Sequence, residues 1–414
     1  MTQTAGNTPL DVQQLRKEFP ILNQQVNGHP LVYLDNAATT QKPLRVINRL
    51  SAYYLNDNAN IHRGIHTLAE RATKGFEDTR KAIAKFINAP EQDEIVFTRG
   101  VTEAINLVAH SFGKQFVGKG DEIIISGLEH HSNIVPWQLM CEERGATLKV
   151  IPVLDNGTID MDRYRSLLKK GKTRLVSVNH ASNSLGTVNP IFEMIREAHV
   201  AGAAVLVDGA QSVAHLHVDI RELNCDFFVA SGHKMYGPTG VGFLYGKRYW
   251  LEKMPPWQSG GEMISQVTFE KTTWNRIPYK FEAGTPNIAD VTALNEALQF
   301  ISDYGKERLA THEQALLKYA TEKLKSIDGI RFIGTAPEKV SVISFLIDGF
   351  HPFDVGQMLD ARGIAVRTGH HCTQPLMDRF RIEGTVRASF AAYNTFEEVD
   401  ILTEALKRLE KLRS

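Results

Sequence analysis

From residue 94 onward, short runs of continuous apolar residues alternate with stretches in which apolar residues recur every three or four positions. The runs over 94–98, 122–126, 174–178, 204–208 and 226–230 lack the apolar–polar alternation of a one-sided strand. They predict strands buried on both faces. Between them, Ile105, Val108, Ala109 and Phe112 fall on one face of a helix predicted over 102–112. A second helix is predicted over 190–201, with Asn189 as N-cap, Pro190 at its first position and Gly202 just past its end. Buried strands alternating with helices predict an α/β fold with a mainly parallel sheet covered on both faces.

Upstream, a helix over 10–19 is closed by Pro20, and a strand from Leu31 opens at Asp35 into a small polar loop through Thr40. Helices follow over 43–56 and 66–87, separated by Asn58-Ala59-Asn60-Ile61-His62-Arg63-Gly64. The pattern changes near residue 300. A helical region over 288–326, strands over 340–347, 364–367 and 386–390, a helix after Pro352 and an amphipathic helix over 395–412 predict a smaller α+β unit. The expected division is a segment 1–30 packing with the small domain, a large domain over 31–299 and a small domain over 300–414, so that both chain ends build the small one.

At 414 residues the chain is too long for one ordinary core, in line with two domains. Lys+Arg and Asp+Glu are 47 each, a formal charge of zero, which argues against nucleic acid as the main partner. No apolar run approaches a membrane span, and the first seven residues lack a basic segment leading into an apolar one. The expectation is a cytoplasmic protein with no membrane partner. The three cysteines, Cys141, Cys225 and Cys372, lie far from metal-ligand spacing, so no metal site is expected, and their odd count suits a reducing compartment.

In an open parallel sheet, ligands sit outside the carboxyl ends of the strands. After 94–98 come Arg99-Gly100-Val101-Thr102 and a helix, a place for an anion. After 122–126 comes Glu129-His130-His131-Ser132-Asn133, and after 174–178 comes Asn179-His180-Ala181-Ser182-Asn183. The next strand ends in Asp208-Gly209-Ala210-Gln211, and the last in Ser231-Gly232-His233-Lys234 within a glycine-rich turn. Each has a bland reading: a helix cap, a turn-forming Asp, a surface histidine pair, a solvated loop lysine. Together they place an anion site, an imidazole, a carboxylate, an amide and an amine on one edge. That inventory fits pyridoxal phosphate, which needs an amine for its aldehyde, donors for its phosphate and a carboxylate against its ring nitrogen. A nicotinamide cofactor would want G-x-G-x-x-G after the first strand, and no such stretch occurs at a suitable strand–helix junction.

These motifs, together with Ala59 to Gly64 and Arg367-Thr368-Gly369-His370-His371-Cys372, resemble those of the SufS-type cysteine desulfurases, class V members of the fold-type I pyridoxal phosphate enzymes and relatives of selenocysteine lyase. The resemblance covers nearly the whole chain. It implies a seven-stranded, mainly parallel sheet in the large domain. It also implies that Lys234 carries the cofactor and moves protons, that Asp208 pairs with the ring nitrogen, that His131 stacks on the ring and acts in acid–base steps, and that Gln211 reaches the ring oxygen. Val101, Thr102, Ser231 and His233 would hold the phosphate. Asn183 and Arg387 would receive the substrate carboxylate, with Arg367, His62 and Arg63 at the entrance. Thr285 would reach the phosphate in a partner subunit, which implies a homodimer. The family commonly has two threonines after the glycine where this chain has Gly100-Val101-Thr102, so one hydroxyl contact is missing or supplied elsewhere.

Cys372 stands apart from the other cysteines. It follows a predicted strand in a glycine-containing loop, beside two histidines and near Arg367, company of the kind that favours a thiolate. The resemblance implies conversion of L-cysteine to L-alanine, with the sulfur left on Cys372 as a persulfide for a SufE-like or SufU-like acceptor that feeds iron–sulfur cluster assembly. The competing expectations are a selenocysteine lyase or another pyridoxal phosphate-dependent β-elimination on the same cofactor, and, more remotely, a scaffold that has lost catalysis.

Overall fold

The structure is a computed structural model, and it describes residues 9–410. Seven strands form the main sheet: β1 Ile95–Thr98, β2 Glu122–Ser126, β3 Thr147–Ile151, β4 Thr173–Asn179, β5 Ala204–Asp208, β6 Phe227–Ser231 and β7 Gly242–Gly246. Their order is β1-β7-β6-β5-β4-β2-β3. The pairs from β6 through to β3 are parallel, while β7 runs antiparallel to both β6 and β1. Every residue of β1, β2, β5, β6 and β7 is buried, as their unbroken apolar runs require. β3 is the edge strand and buries only Ile151 fully, which is why its Thr147-Leu148-Lys149-Val150-Ile151 carries no such run.

Alternate residues of the strands feed two cores on opposite faces. Ile123, Ile125 and Leu206 pack with Ile105, Val108 and Phe112 of α2 (Val101–Phe116). Ile124, Val176 and Val205 join Phe76 of α1 (Thr67–Phe86) and Leu294 of α3 (Ile288–Tyr304). The parallel strands therefore end together at one buried edge, with Asn179 directly opposite Asp208.

A second sheet holds β8 Ile330–Ile333, β9 Val342–Ile347, β10 Arg367–Gly369 and β11 Thr385–Ser389, in the order β8-β9-β11-β10 and antiparallel throughout. Its Phe345 and Val386 pack against Leu316 and Leu324 of α4 (Lys306–Leu324) and Leu402 and Leu406 of α5 (Phe396–Glu410).

Four details differ from the sequence reading. The helix predicted over 288–326 is two helices, broken at Gly305, whose φ of 81° ends α3 and reorients the chain into α4. The predicted strand over 364–367 is split, and its first part, Ile364–Ala365, pairs in parallel with Val32–Tyr33. Asn189 does not cap the 191–201 helix. Its buried amide donates instead to the Asn179 carbonyl at 2.8 Å and side-chain oxygen at 2.7 Å, because a buried amide needs partners more than a helix end needs a cap. The first helix is only Val12–Arg16, with Asp11 accepting from the Gln14 N–H. The reading of residues 1–7 as lacking a leader lies outside the described residues.

Candidate active site

The carboxyl edge of the large sheet opens onto a cavity of about 230 Å³. A cavity of roughly 150 Å³ already takes up a benzene ring. Its floor is Asp208, the last residue of β5, and Lys234, in a single helical turn (Gly232–Lys234) directly after β6. One Asp208 oxygen accepts the Ala210 N–H at 2.9 Å. Burial pushes the Asp208 carboxyl up, and the nearby Lys234 opposes this. Burial pulls the Lys234 ammonium down to about 8; Asp208 resists, while Arg387 and Arg367 add to the fall. The result is an amine that loses its proton far more readily than an exposed lysine.

The turn that carries Lys234 is buttressed from outside the sheet. The His233 carbonyl accepts from the Thr40 N–H, the Thr39 hydroxyl and the Lys42 ammonium, each at 3.0 Å. The Thr40 hydroxyl in turn accepts the Tyr236 N–H at 2.8 Å. Among the described residues, the partners of Lys42 are all neutral oxygens, and burial lowers it to about 7. Sequence reasoning missed this support; its one signal was a polar loop directly after a strand.

Val101 and Thr102 line the cavity at the start of α2, as do Ser231 and His233. The Val101 N–H donates to the Ser231 hydroxyl at 2.9 Å. Gly100 holds this approach open: its φ is 150°, and a β-carbon there would meet the Ser231 hydroxyl at 3.1 Å. His233 is lowered to about 4 by burial and then by Lys234 and Lys42, so it stays neutral. Gln211 faces the cavity and spends one amide N–H on the Ala37 carbonyl at 2.7 Å.

The histidine pair corrects the sequence reading. His130, not His131, lines the cavity. His130 is extended, and a tight turn over 131–133 follows it, so the two side chains diverge. The His130 Nδ1 accepts the Ser132 N–H at 3.1 Å and lies 2.8 Å from the Ser132 hydroxyl, which leaves the proton on Nε2. Burial, then Lys234, lower it to about 3, so the ring stays neutral. His131 points instead at the Cys372 loop, where its Nε2 accepts the Gln374 N–H at 3.1 Å. Beneath both lies Glu129, which sequence reasoning also passed over. It accepts from Ser126, Asn133 and the Asn179 N–H, and burial raises it to about 8.

The small unit supplies the opposite wall. Arg387 of β11 is buried, with one guanidinium nitrogen on the Asn183 carbonyl at 2.9 Å and another on Asp35 at 2.8 Å. Its Nε is buried without a partner. Arg367 and Asn183 also line the cavity, but the Asn183 side-chain amide donates to the His371 carbonyl at 2.9 Å. Cys372 reaches the cavity as a partly exposed free thiol, close enough for Lys234 to feel it electrostatically. Cys141 and Cys225 are buried, and burial pushes both thiols up.

His62, Arg63 and Thr285 do not line this cavity. His62 pairs with Glu77 at 3.0 Å, Arg63 pairs with Glu262 at 2.9 Å, and Thr285 is exposed. They share one surface, because the Gly284 N–H donates to the Gly261 carbonyl beside Glu262. Buried Arg80 ties it together by bridging Glu77 at 3.0 Å and Glu282 at 2.8 Å.

A family model described as aminotransferase class-V matches residues 32–402. The chain is 53% identical over 407 residues to a cysteine desulfurase of Synechococcus elongatus, a match covering 98% of this chain and 65% of that protein. It thus spans just under two thirds of that relative's length. It is 49% identical over 413 residues to a cysteine desulfurase of Dickeya dadantii, covering 100% of this chain and 99% of that one. Among solved structures, it is similar to the S-sulfonic acid form of the cysteine desulfurase CsdA from Escherichia coli, at a TM-score of 0.91 and 38% identity over 98% of this chain and 100% of that one.

Proposed function

The chain belongs to the class V aminotransferase family, and from that premise we propose that it is a pyridoxal phosphate-dependent cysteine desulfurase that moves the sulfur of L-cysteine onto Cys372. The observation that carries this reading is the meeting of Lys234, Asp208 and Cys372 on one cavity.

The residues fit the cofactor. Asp208 presents a buried carboxylate of the kind a protonated ring nitrogen requires, and Lys234 presents a readily deprotonated amine. The start of α2 with Ser231 and His233 offers N–H and hydroxyl donors for a phosphate, as backbone amides do whatever their side chains. Gln211 and His130 line the same cavity and would lie beside the ring. When bound, the cofactor supplies an electron sink that acidifies the Cα–H of an amino acid held through its amine.

The chain's own residues do the rest. Arg387, with its unpartnered Nε, receives the substrate carboxylate and fixes the amino acid against the floor. Lys234 Nζ takes the Cα proton and later returns a proton to the product. The Cys372 thiolate attacks the substrate sulfur. One S–S bond forms and the Cβ–S bond breaks; the carbon keeps the electron pair and takes up a proton, so L-cysteine and a thiol give L-alanine and a persulfide. His130, which lines the cavity, would take the stacking and acid–base role that the resemblance gives His131, with its Nε2–H free to donate to groups over the floor.

The chain acts as a cytoplasmic homodimer in this proposal, and its persulfide passes to a SufE-like or SufU-like acceptor for iron–sulfur cluster assembly. The exposed surface carrying Thr285 and Arg63, with Ile65 beside Arg63 in the chain fully bare, supports a second copy covering it. Among the described residues, no helix is long and apolar enough to cross a membrane. The test is anaerobic incubation of the cofactor-loaded protein with L-cysteine and a thiol. Equal amounts of alanine and sulfide are expected; pyruvate with sulfide instead would mean β-elimination and would overturn the reading.

A further inference from the structure

The loop that presents Cys372 adopts a backbone that its own sequence does not favour. His371 and Cys372 have φ of 52° and 59°, consecutive left-handed positions for two residues with side chains. Such a turn persists only where its surroundings hold it. Inside the loop, the Cys372 N–H donates to His370 Nδ1 at 3.1 Å and the Thr373 N–H to the His370 carbonyl at 2.8 Å. From outside, Asn183 donates to the His371 carbonyl, and the Ser184 and Thr373 hydroxyls meet at 2.6 Å.

His131 grips both sides of the turn. Its backbone N–H donates to the Cys372 carbonyl at 2.8 Å, and its ring Nε2 accepts the Gln374 N–H at 3.1 Å. A backbone N–H can only donate, so Nε2 carries no proton and the neutral ring is protonated at Nδ1. The His370 ring lies alongside, 5.6 Å away between centroids. Burial, and then His370, disfavour the charged ring, in keeping with this tautomer.

We infer that His131 is a positioning residue that pins the strained turn at 371–372 through its ring Nε2 and so fixes where the Cys372 sulfur sits over the cavity. It acts through the loop and not on the cofactor. The consequence for sulfur transfer rests on the proposed role of Cys372, but the pinning itself does not.

The experiment uses the cofactor-loaded protein and the variants His131→Leu, which removes the ring acceptor, and His131→Gln, which offers an amide oxygen in its place. Hydrogen exchange at residues 373–374 and the rate of Cys372 alkylation by iodoacetamide are read with the absorbance of the bound cofactor. The expected result for His131→Leu is at least tenfold faster exchange at 374 and at least threefold altered alkylation, with unchanged absorbance and recovery in His131→Gln. Exchange in His131→Leu within twofold of the parent would overturn the inference, as would a shifted cofactor spectrum. In the unaltered protein, nitrogen-15 correlation spectra of His131 should show the proton on Nδ1, and a proton on Nε2 would overturn it without any variant. None of these readouts needs L-cysteine, so failure of the desulfurase reading would show separately, as absence of alanine.

Discussion

Asp208 and Ser231 are the last residues of adjacent parallel strands, whereas His371 and Cys372 occupy consecutive left-handed positions in a loop tethered by His131, Asn183 and Ser184. The floor of the cavity inherits its geometry from the sheet. Once β5 and β6 pair in register, the carboxylate and the lysine turn have no freedom left. The Cys372 loop has no such ladder, and each left-handed non-glycine residue in it costs about 1–2 kcal/mol. Its geometry depends on a few single hydrogen bonds. A rigid floor suits groups that hold a cofactor and direct a proton. In the proposed reaction, a tethered loop would suit a thiol that attacks one molecule and then hands its sulfur to another.

This contrast predicts that changes to the floor act on cofactor binding and proton transfer, while changes to the tethers act through the Cys372 loop. The largest effect is expected for Lys234→Ala. Removal of the group proposed to move the Cα proton should slow alanine formation by roughly 10²–10⁴-fold. The fold should survive, since the turn is held through the His233 carbonyl and not through the Lys234 side chain. Single-turnover alanine release together with thermal unfolding would check this, and near-parent turnover would remove Lys234 from the mechanism.

The next effect is a displaced titration. Because burial lowers Lys234, its charge is disfavoured in the folded, cofactor-free protein. The sign follows: above the ordinary lysine value of 10.5 there is no penalty, it grows as pH falls, and it is complete below about 8. Labelling of Lys234 by an amine reagent should therefore rise through pH about 8, whereas exposed lysines follow near 10.5. A Lys234 profile that matches the exposed lysines would show that the floor is wetter than its burial implies.

The smallest effect belongs to a tether. Ser184→Ala removes one buried hydroxyl contact to Thr373, worth about 1 kcal/mol. Hydrogen exchange should quicken about fivefold within 370–374 and stay unchanged in β5 and β6. Faster exchange spreading into the strands would mean that floor and loop open together, which erases the distinction.

The same contrast explains what could be read in the sequence. The buried strands announce themselves because burial on both faces demands unbroken apolar runs, and Asp208, Ser231 and Lys234 follow from where those runs end. β3 is silent because a half-exposed edge strand needs no such run. The break at Gly305 was hidden because apolar spacing continues through it into a different core. Within the site, choosing between His130 and His131 depended on side-chain direction in a tight turn, and adjacent identical residues carry no sequence signal for that. The buttress of Thr39, Thr40 and Lys42, and the Arg80 bridge beneath His62, join segments far apart in the chain; each looks like ordinary polar sequence until the fold brings its partners together.

In the proposed reaction Cys372, and no other thiol, accepts the sulfur. The direct measurement is peptide mass spectrometry of the cofactor-loaded protein after one turnover with L-cysteine, with thiols trapped by alkylation. The expected result is one added sulfur atom on the peptide carrying Cys372, none on those carrying Cys141 or Cys225, and loss of both the adduct and the matching alanine in Cys372→Ala. Added sulfur on either buried cysteine, or undiminished alanine with no adduct on Cys372, would contradict it.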